Sequence, residues 1–168
     1  MSIEVKVGDV FLIPLDEHHW AGGQVVGNWE GELYLAIFEE RYTRDDADPM
    51  SIVDGTPAFL LLSMDALFWH GQWPILENLQ YNLGEYPQPV FKVGLNGVMH
   101  VESRDRTIFR LASPREVEML QYRTVSSPAE VEGAVQAYFG IGEWESRYDE
   151  LRADYAIRSS KILYDTAA

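Results

Sequence analysis

The sequence predicts an α+β protein: a bent antiparallel sheet or small SH3-like β-barrel over residues 5–111, followed by C-terminal helices over 113–165. Three observations carry this. Up to Leu111 the chain is a series of short apolar runs separated by clusters of Gly, Pro, Asn and Asp, the punctuation of strands and turns. Asn96-Gly97 stands between two such runs, a strong hairpin signal. Ser113-Pro114-x-Glu116 and Ser127-Pro128-x-Glu130 each place a capping serine, a proline at the first helical position and a glutamate behind it, the pattern of a helix start.

The first strand, from Gly8, carries apolar residues at both odd and even positions (Val10, Leu12; Phe11, Ile13, Leu15), so it is buried on both faces and central. Pro14 ends it, because proline has no N–H for the ladder. The polar turn Asp16-Glu17-His18-His19 leads to a return strand from Trp20, where Gly22-Gly23 permits a bulge. A turn over 28–32 enters a third strand, Leu33–Phe38, and Glu39–Pro57 then lacks periodicity and reads as a long acidic loop. Phe59–Met64 is a fourth strand, Asp65–Gly71 a turn, and Trp73-Pro74-Ile75-Leu76 an edge strand. After a loop over 79–88 comes the Asn-Gly hairpin, Val90–Val93 with Val98–Val101, and a half-wet strand at Thr107–Leu111. Beyond Ser113 a short helix ends near Gln121. A second buries Val131 and Val135 before Gly140, and a third runs from Glu143 with Trp144, Tyr148, Leu151, Tyr155 and Ile162 along one stripe.

A chain of 168 residues suits one well-filled domain, here 1–168. The 46% hydrophobic and 12% aromatic content excludes a disordered chain. With no cysteine, disulfides, thiolate metal sites and cysteine nucleophiles are excluded together. The start of the chain has no basic segment leading into an apolar run, and no stretch is long enough to span a bilayer, so a cytoplasmic address is expected. Asp plus Glu number 27 against 13 Lys plus Arg, a formal −14; residues 1–100 hold 15 acids and 4 bases, residues 101–168 hold 12 and 9. Such a field repels nucleic acid and anionic membranes and favours encounter with a basic partner.

The opening Gly8-Asp9-x-Phe11-x-Ile13-Pro14-Leu15, its polar turn and the following Gly-x-Val strand resemble the immunity protein 26 family of bacterial polymorphic toxin systems. The likeness continues, in the family's order, at Trp73-Pro74-Ile75-Leu76-Glu77-Asn78 and at Pro89-Val90-Phe91-Lys92, and covers roughly residues 5–111. Glu77 stands where the family's pattern has a glycine. The resemblance implies a non-enzymatic, cytoplasmic, stoichiometric inhibitor that binds a cognate toxin protein and needs no cofactor.

The residues themselves offer three candidate sites. Asp45-Asp46-Ala47-Asp48 bunches carboxylates, yet counting Asp46 as the first position of a calcium loop puts Ser51 at the turn glycine and Pro57 at the bidentate glutamate, so no metal is expected. His18 and His19, with Asp16, would serve a small hydrolase; adjacent residues in an extended turn point apart, however, and cannot chelate one metal. The third candidate is an acidic, aromatic-studded partner-binding face of Asp16, Glu17, Trp20, Trp29, Glu30, Glu32, Glu39, Glu40, Asp45, Asp46 and Asp48. Tryptophans anchor interfaces, and carboxylates around them pair with the Arg and Lys that a nuclease toxin keeps in its cleft. A small-molecule or peptide module remains the alternative, with a pocket at the barrel mouth lined by Trp69, Trp73 and Tyr81.

Overall fold

The computed structural model describes residues 3–165, with side chains through residue 162. In chain order its elements are β1 (Asp9–Pro14), β2 (Trp20–Trp29), β3 (Glu32–Tyr42), α1 (Pro49–Val53), β4 (Pro57–Ser63), α2 (Ala66–Trp69), β5 (Ile75–Asn78), β6 (Val90–Leu95), β7 (Val98–Ser103) and β8 (Phe109–Leu111). There follow α3 (Pro114–Met119), β9 (Val125–Ser126), α4 (Pro128–Tyr138), a 3-10 helix (Ser146–Leu151) and α5 (Ala153–Asp165). The α+β class and the C-terminal helices stand as expected. The closed SH3-like barrel does not: the strands form two open sheets, in the orders β5-β1-β2-β3-β4-β9 and β6-β7-β8. They belong to two compact units, one built from the chain up to Tyr86 and from Val125–Arg152, the other from Pro87–Thr124 and the segment from Ala153.

In the first unit β1 lies between β5 and β2, and Val10 through Ile13 are fully buried. Phe11 pairs with Gly23 and Leu12 with Gly22, so the two glycines face opposite sides of the sheet. A Cβ on Gly23 would stand 2.5 Å from the Phe11 ring, and one on Gly22 would stand 2.7 Å from Ile52 of α1. Both distances are shorter than any tolerated contact, so the missing side chains let Phe11 lie across β2 on one face and α1 seat on the other. Phe11 stacks on Trp73 at 5.7 Å and meets Phe68 of α2 edge-on at 4.7 Å. Around this trio the core takes in Ile37, Phe59, and Val131 and Val135 of α4. The Trp73 indole N–H reaches Glu132 Oε1 at 3.2 Å.

The opposite face is covered by α1 and by residues 79–82. Buried Gln24 donates its amide to the carbonyls of Leu79 (3.0 Å) and Tyr81 (3.4 Å), and Asn82 donates to the Val53 carbonyl at 3.2 Å. Glu77, which stands where the family's pattern has a glycine, lies in β5 and pairs with Val10.

Two further expectations are corrected here, and one strand is new. Glu39–Pro57 is not a structureless loop: β3 runs on to Tyr42, and α1 is a capped helix with Asp48 accepting from the Ser51 N–H at 3.0 Å. The segment between the two Ser-Pro starts contains β9, parallel to β4. The third helix is broken at Arg152, whose backbone is extended (ψ 148) and bridges Phe59. Its guanidinium donates to the Ala58 carbonyl at 3.3 Å and sits 5.2 Å from the ring centre of Tyr138, 5.7 Å from Trp144 and 6.0 Å from Phe59. The proposed aromatic stripe therefore divides: Trp144, Tyr148 and Leu151 belong to the first unit, Tyr155 and Ile162 to the second.

In the second unit Asn96 (φ 54) and Gly97 (φ 77) make the two-residue turn between β6 and β7. The α5 helix is tied to β6 through Val90, whose N–H goes to Ser159 Oγ at 3.1 Å and whose carbonyl accepts from the Tyr155 hydroxyl. Both Ser-Pro signals start helices, with Ser113 accepting from the Glu116 N–H and Ser127 from the Glu130 N–H, each at 3.2 Å. At α3 the capping box is complete, and Glu116 also takes a two-point contact from Arg110 at 2.9 and 2.7 Å.

Two outcomes test this packing. Phe11→Ala removes a fully buried ring and should cost about 3–5 kcal/mol by urea titration, through lost burial and the cavity left among Trp73, Phe68 and Gly23. Arg110 above all, then the Ser113 N–H, holds the Glu116 carboxyl down at about 2 from an ordinary 4.5. The unfolded chain takes up that proton first as the pH falls, so this stabilisation is complete above about pH 4.5 and fades toward pH 2. Glu116→Gln should flatten the fall of the urea midpoint across that window, and an unaltered slope would refute the assignment.

Candidate functional site

The two long central strands decide where the acidic residues go. The β2–β3 hairpin turns at Glu30 (φ 51) and Gly31 (φ 89), and its other end is the pairing of Trp20 with Tyr42. At about 3.3 Å per residue these ends are about 30 Å apart. The eleven candidates therefore do not form one patch. Trp29, Glu30 and Glu32 lie at the hairpin tip, with Trp29 half-buried. The other eight gather at the Trp20 end, on the β1–β2 turn, the end of β3 and the turn into α1.

At that end the ladder is irregular. Ala21 pairs with Arg41 but Gly23 pairs with Ile37, leaving Phe38, Glu39 and Glu40 opposite Gly22 alone. This bulge turns Glu39 and Glu40 into solvent while Phe38 stays fully buried. With Asp16, Glu17, Asp45, Asp46 and Asp48 they make seven exposed carboxylates, against Arg41 and Arg44. Half-buried Trp20 lies among them, its ring under the Arg44 guanidinium at 5.4 Å. Buried Tyr42 supports it from the neighbouring strand; burial first, then the Glu40 and Asp46 charges, push its hydroxyl above its ordinary value. Sequence reasoning missed Tyr42 and Arg44, since their relation to Trp20 is a long-range pairing with no local signal.

Several of these acids also build the backbone. Asp16 accepts from the N–H groups of His18 and His19, both at 2.8 Å, and from His19 Nδ1 at 3.0 Å. The His18 N–H, then His19, holds its carboxyl below the usual range. Asp46 accepts from the Thr43 N–H at 2.6 Å, and Asp48 caps α1. The Asp16–His19 pair that a hydrolase would need does form, as the closing contact of an exposed turn. Among the described residues no group of three or more His, Asp or Glu is placed to hold a metal ion.

The pocket of Trp69, Trp73 and Tyr81 does not form. Trp73 is fully buried on the Phe11 face, Tyr81 belongs to the segment that covers the Gln24 face, and Trp69 is half exposed on α2. Among the described residues no helix is long and apolar enough to cross a membrane.

Charge follows the two units. The first holds 21 of the 27 carboxylates with 5 of the 13 basic residues; the second holds 6 carboxylates with 8 basic residues. The excess negative charge thus belongs entirely to the first unit.

An open-sheet α+β protein with an acidic, tryptophan-bearing end on its long hairpin is the class that fold and surface define. The family model described as Immunity protein 26 matches residues 6–98, more than half of the 168 residues, and the chain belongs to that family, the immunity proteins of toxin systems. The matched stretch contains β1 through β6, and with them all eight acidic-end residues. No curated protein and no solved structure matches the chain.

The division of labour among the acids is measurable. Asp48→Ala should lower stability by about 0.5–2 kcal/mol through loss of the α1 cap, and Asp45→Ala by less than about 0.5 kcal/mol. Equal urea midpoints for the two variants would show that Asp48 is not acting as a cap.

Proposed function

We propose that this chain is a cytoplasmic, non-enzymatic inhibitor that neutralises the cognate toxin of a polymorphic toxin system by one-to-one binding, and that the Trp20 end of the first unit makes the contact. The observation that carries the reading is the concentration of charge: 21 carboxylates against 5 basic residues in that unit, seven of them exposed around Trp20. A toxin that handles nucleic acid keeps Arg and Lys in its cleft, and this surface is their electrostatic complement. Trp20, half exposed with a polar rim, has the form of an interface anchor. Such an inhibitor requires no cofactor.

The test uses the cognate toxin. Co-expression with it should rescue growth, and stopped-flow mixing should show association that slows as salt rises, because exposed charges are screened beyond about 10 Å at 0.1 M. Charge reversal at Glu39, Glu40 and Asp45 together should slow association about tenfold or more with little change in stability. Asp46 and Asp48 are kept, since their loss would disturb the turn and the helix cap. Trp20→Ala should act on dissociation, weakening binding by about 2–4 kcal/mol. Rescue combined with association indifferent to both salt and reversal would place the contact elsewhere; failure to rescue would reject the inhibitor reading itself.

A further inference from the structure

The second unit contains a feature that lies outside the family-matched stretch: a cleft of about 280 Å³ between the end of α3 and one side of α5. Its walls are Met119, Leu120, Tyr155 and Ile162, and its polar groups are Arg158, Lys161 and Ser159. Leu120, Tyr155 and Ile162 are buried, so the floor is fixed by packing. Tyr155 is held further by its hydroxyl, which donates to the Val90 carbonyl and accepts from the Gln121 N–H at 3.2 Å.

The polar groups keep capacity that no described residue uses. Ser159 is 3% exposed; its Oγ accepts from the Val90 N–H, and its own O–H proton goes to no described acceptor. A buried hydroxyl with an unused donor is costly unless something accepts from it. Arg158 and Lys161 follow one another at one helical turn, both exposed, and neither has an ion-pair partner among the described residues. Arg158 only rests against the Tyr155 ring, at 5.9 Å. In a chain of net charge −14 these cations sit in the unit where basic residues outnumber acids, 8 to 6.

We propose that this cleft binds a small amphipathic carboxylate, its head between Arg158, Lys161 and the Ser159 hydroxyl and its apolar body on Leu120, Met119 and Ile162. At roughly 30 Å³ per non-hydrogen group, the volume takes about nine or ten carbons, the apolar body of a medium-chain fatty acid whose carboxylate oxygens stand at the mouth by exposed Arg158 and Lys161. An apolar lining with a few convergent polar groups is the general form of a small-molecule site. A neutral ligand would leave both cations without a counter-charge among the described residues, and a cation would be repelled by them. The inference rests on no part of the toxin-binding reading.

The experiment titrates the full chain with decanoate below its micelle concentration, followed by calorimetry and by amide shifts in NMR spectra, with 1-decanol and decyltrimethylammonium as controls. Saturable one-to-one binding of decanoate is expected, with shifts centred on Leu120, Ser159 and Ile162, weakening as salt rises. Arg158→Glu with Lys161→Glu should weaken it about tenfold or more, which is the loss of about 1.4 kcal/mol or more of head-group pairing. Ser159→Ala should weaken it by a smaller factor. Unchanged thermal midpoints would show that the variants fold, and if the reversal unfolds the unit, Arg158→Gln with Lys161→Gln replaces it. No saturation, equal binding of decanol, shifts centred elsewhere, or indifference to both charge change and salt would each overturn the proposal.

Discussion

The first unit depends on two adjacent residues that have no side chains. Gly22 and Gly23 face opposite sides of β2, and each is occupied by what would be a neighbour's clash: Ile52 of α1 above one, the Phe11 ring across the other. A sheet buried on both faces needs cover on both, and here the covers are anchored at a single dipeptide. Phe11 brings Trp73 and Phe68 with it and so seats α2. Ile52 sets α1, and α1 in turn receives Asn82 and the segment held by Gln24. The same place bears the irregularity of the β2–β3 ladder, where Phe38, Glu39 and Glu40 stand against Gly22. The constraint that packs the core therefore also displays two of the carboxylates at the acidic end.

How much of this was legible follows from the range of each cause. The caps at Ser113 and Ser127, the Asn96-Gly97 turn and the end of β1 at Pro14 are set by residues within a few positions, and all stand where the sequence puts them. Asp48-Pro49 has the same grammar as the Ser-Pro starts, but α1 is five residues long and its Ile52 and Val53 alone show no period, so the stretch looks like loop. The break at Arg152 has no local sign whatever. Its cause is the Ala58 carbonyl and the rings of Phe59, Tyr138 and Trp144, remote in sequence except for the last. Sheet closure is likewise a matter of which strands find each other, and alternation along each strand is the same in a barrel as in two open sheets.

The candidate site was legible as residue types and not as a place. Trp20 and Trp29 are nine positions apart on one strand, near in sequence and at opposite ends of a long hairpin. Asp16 and Asp46 are far apart in sequence and share one end because Trp20 pairs with Tyr42. Trp69, Trp73 and Tyr81, which lie close in sequence, are dispersed to the surface, the core and the other side of the sheet respectively. Spacing decides a site when one element carries it, as in a cap or a turn, and decides little when strand register does.

The acidic end is where these constraints leave freedom. The interior of the sheet is packed on both faces, so the contact proposed above falls to what projects beyond the strand ends. There the carboxylates divide. Asp16, Asp46 and Asp48 are each spent on a neighbouring N–H, which fixes the turns that carry the rest. Glu17 and Asp45 project from those turns, and Glu39 and Glu40 from the bulge in β3, all four exposed and without such a duty. The turns beneath fix the backbone that carries these charges, so binding has only the side chains themselves to order. The surface can also change its free carboxylates without touching the fold, which is what the proposed inhibitor would require to match one particular partner.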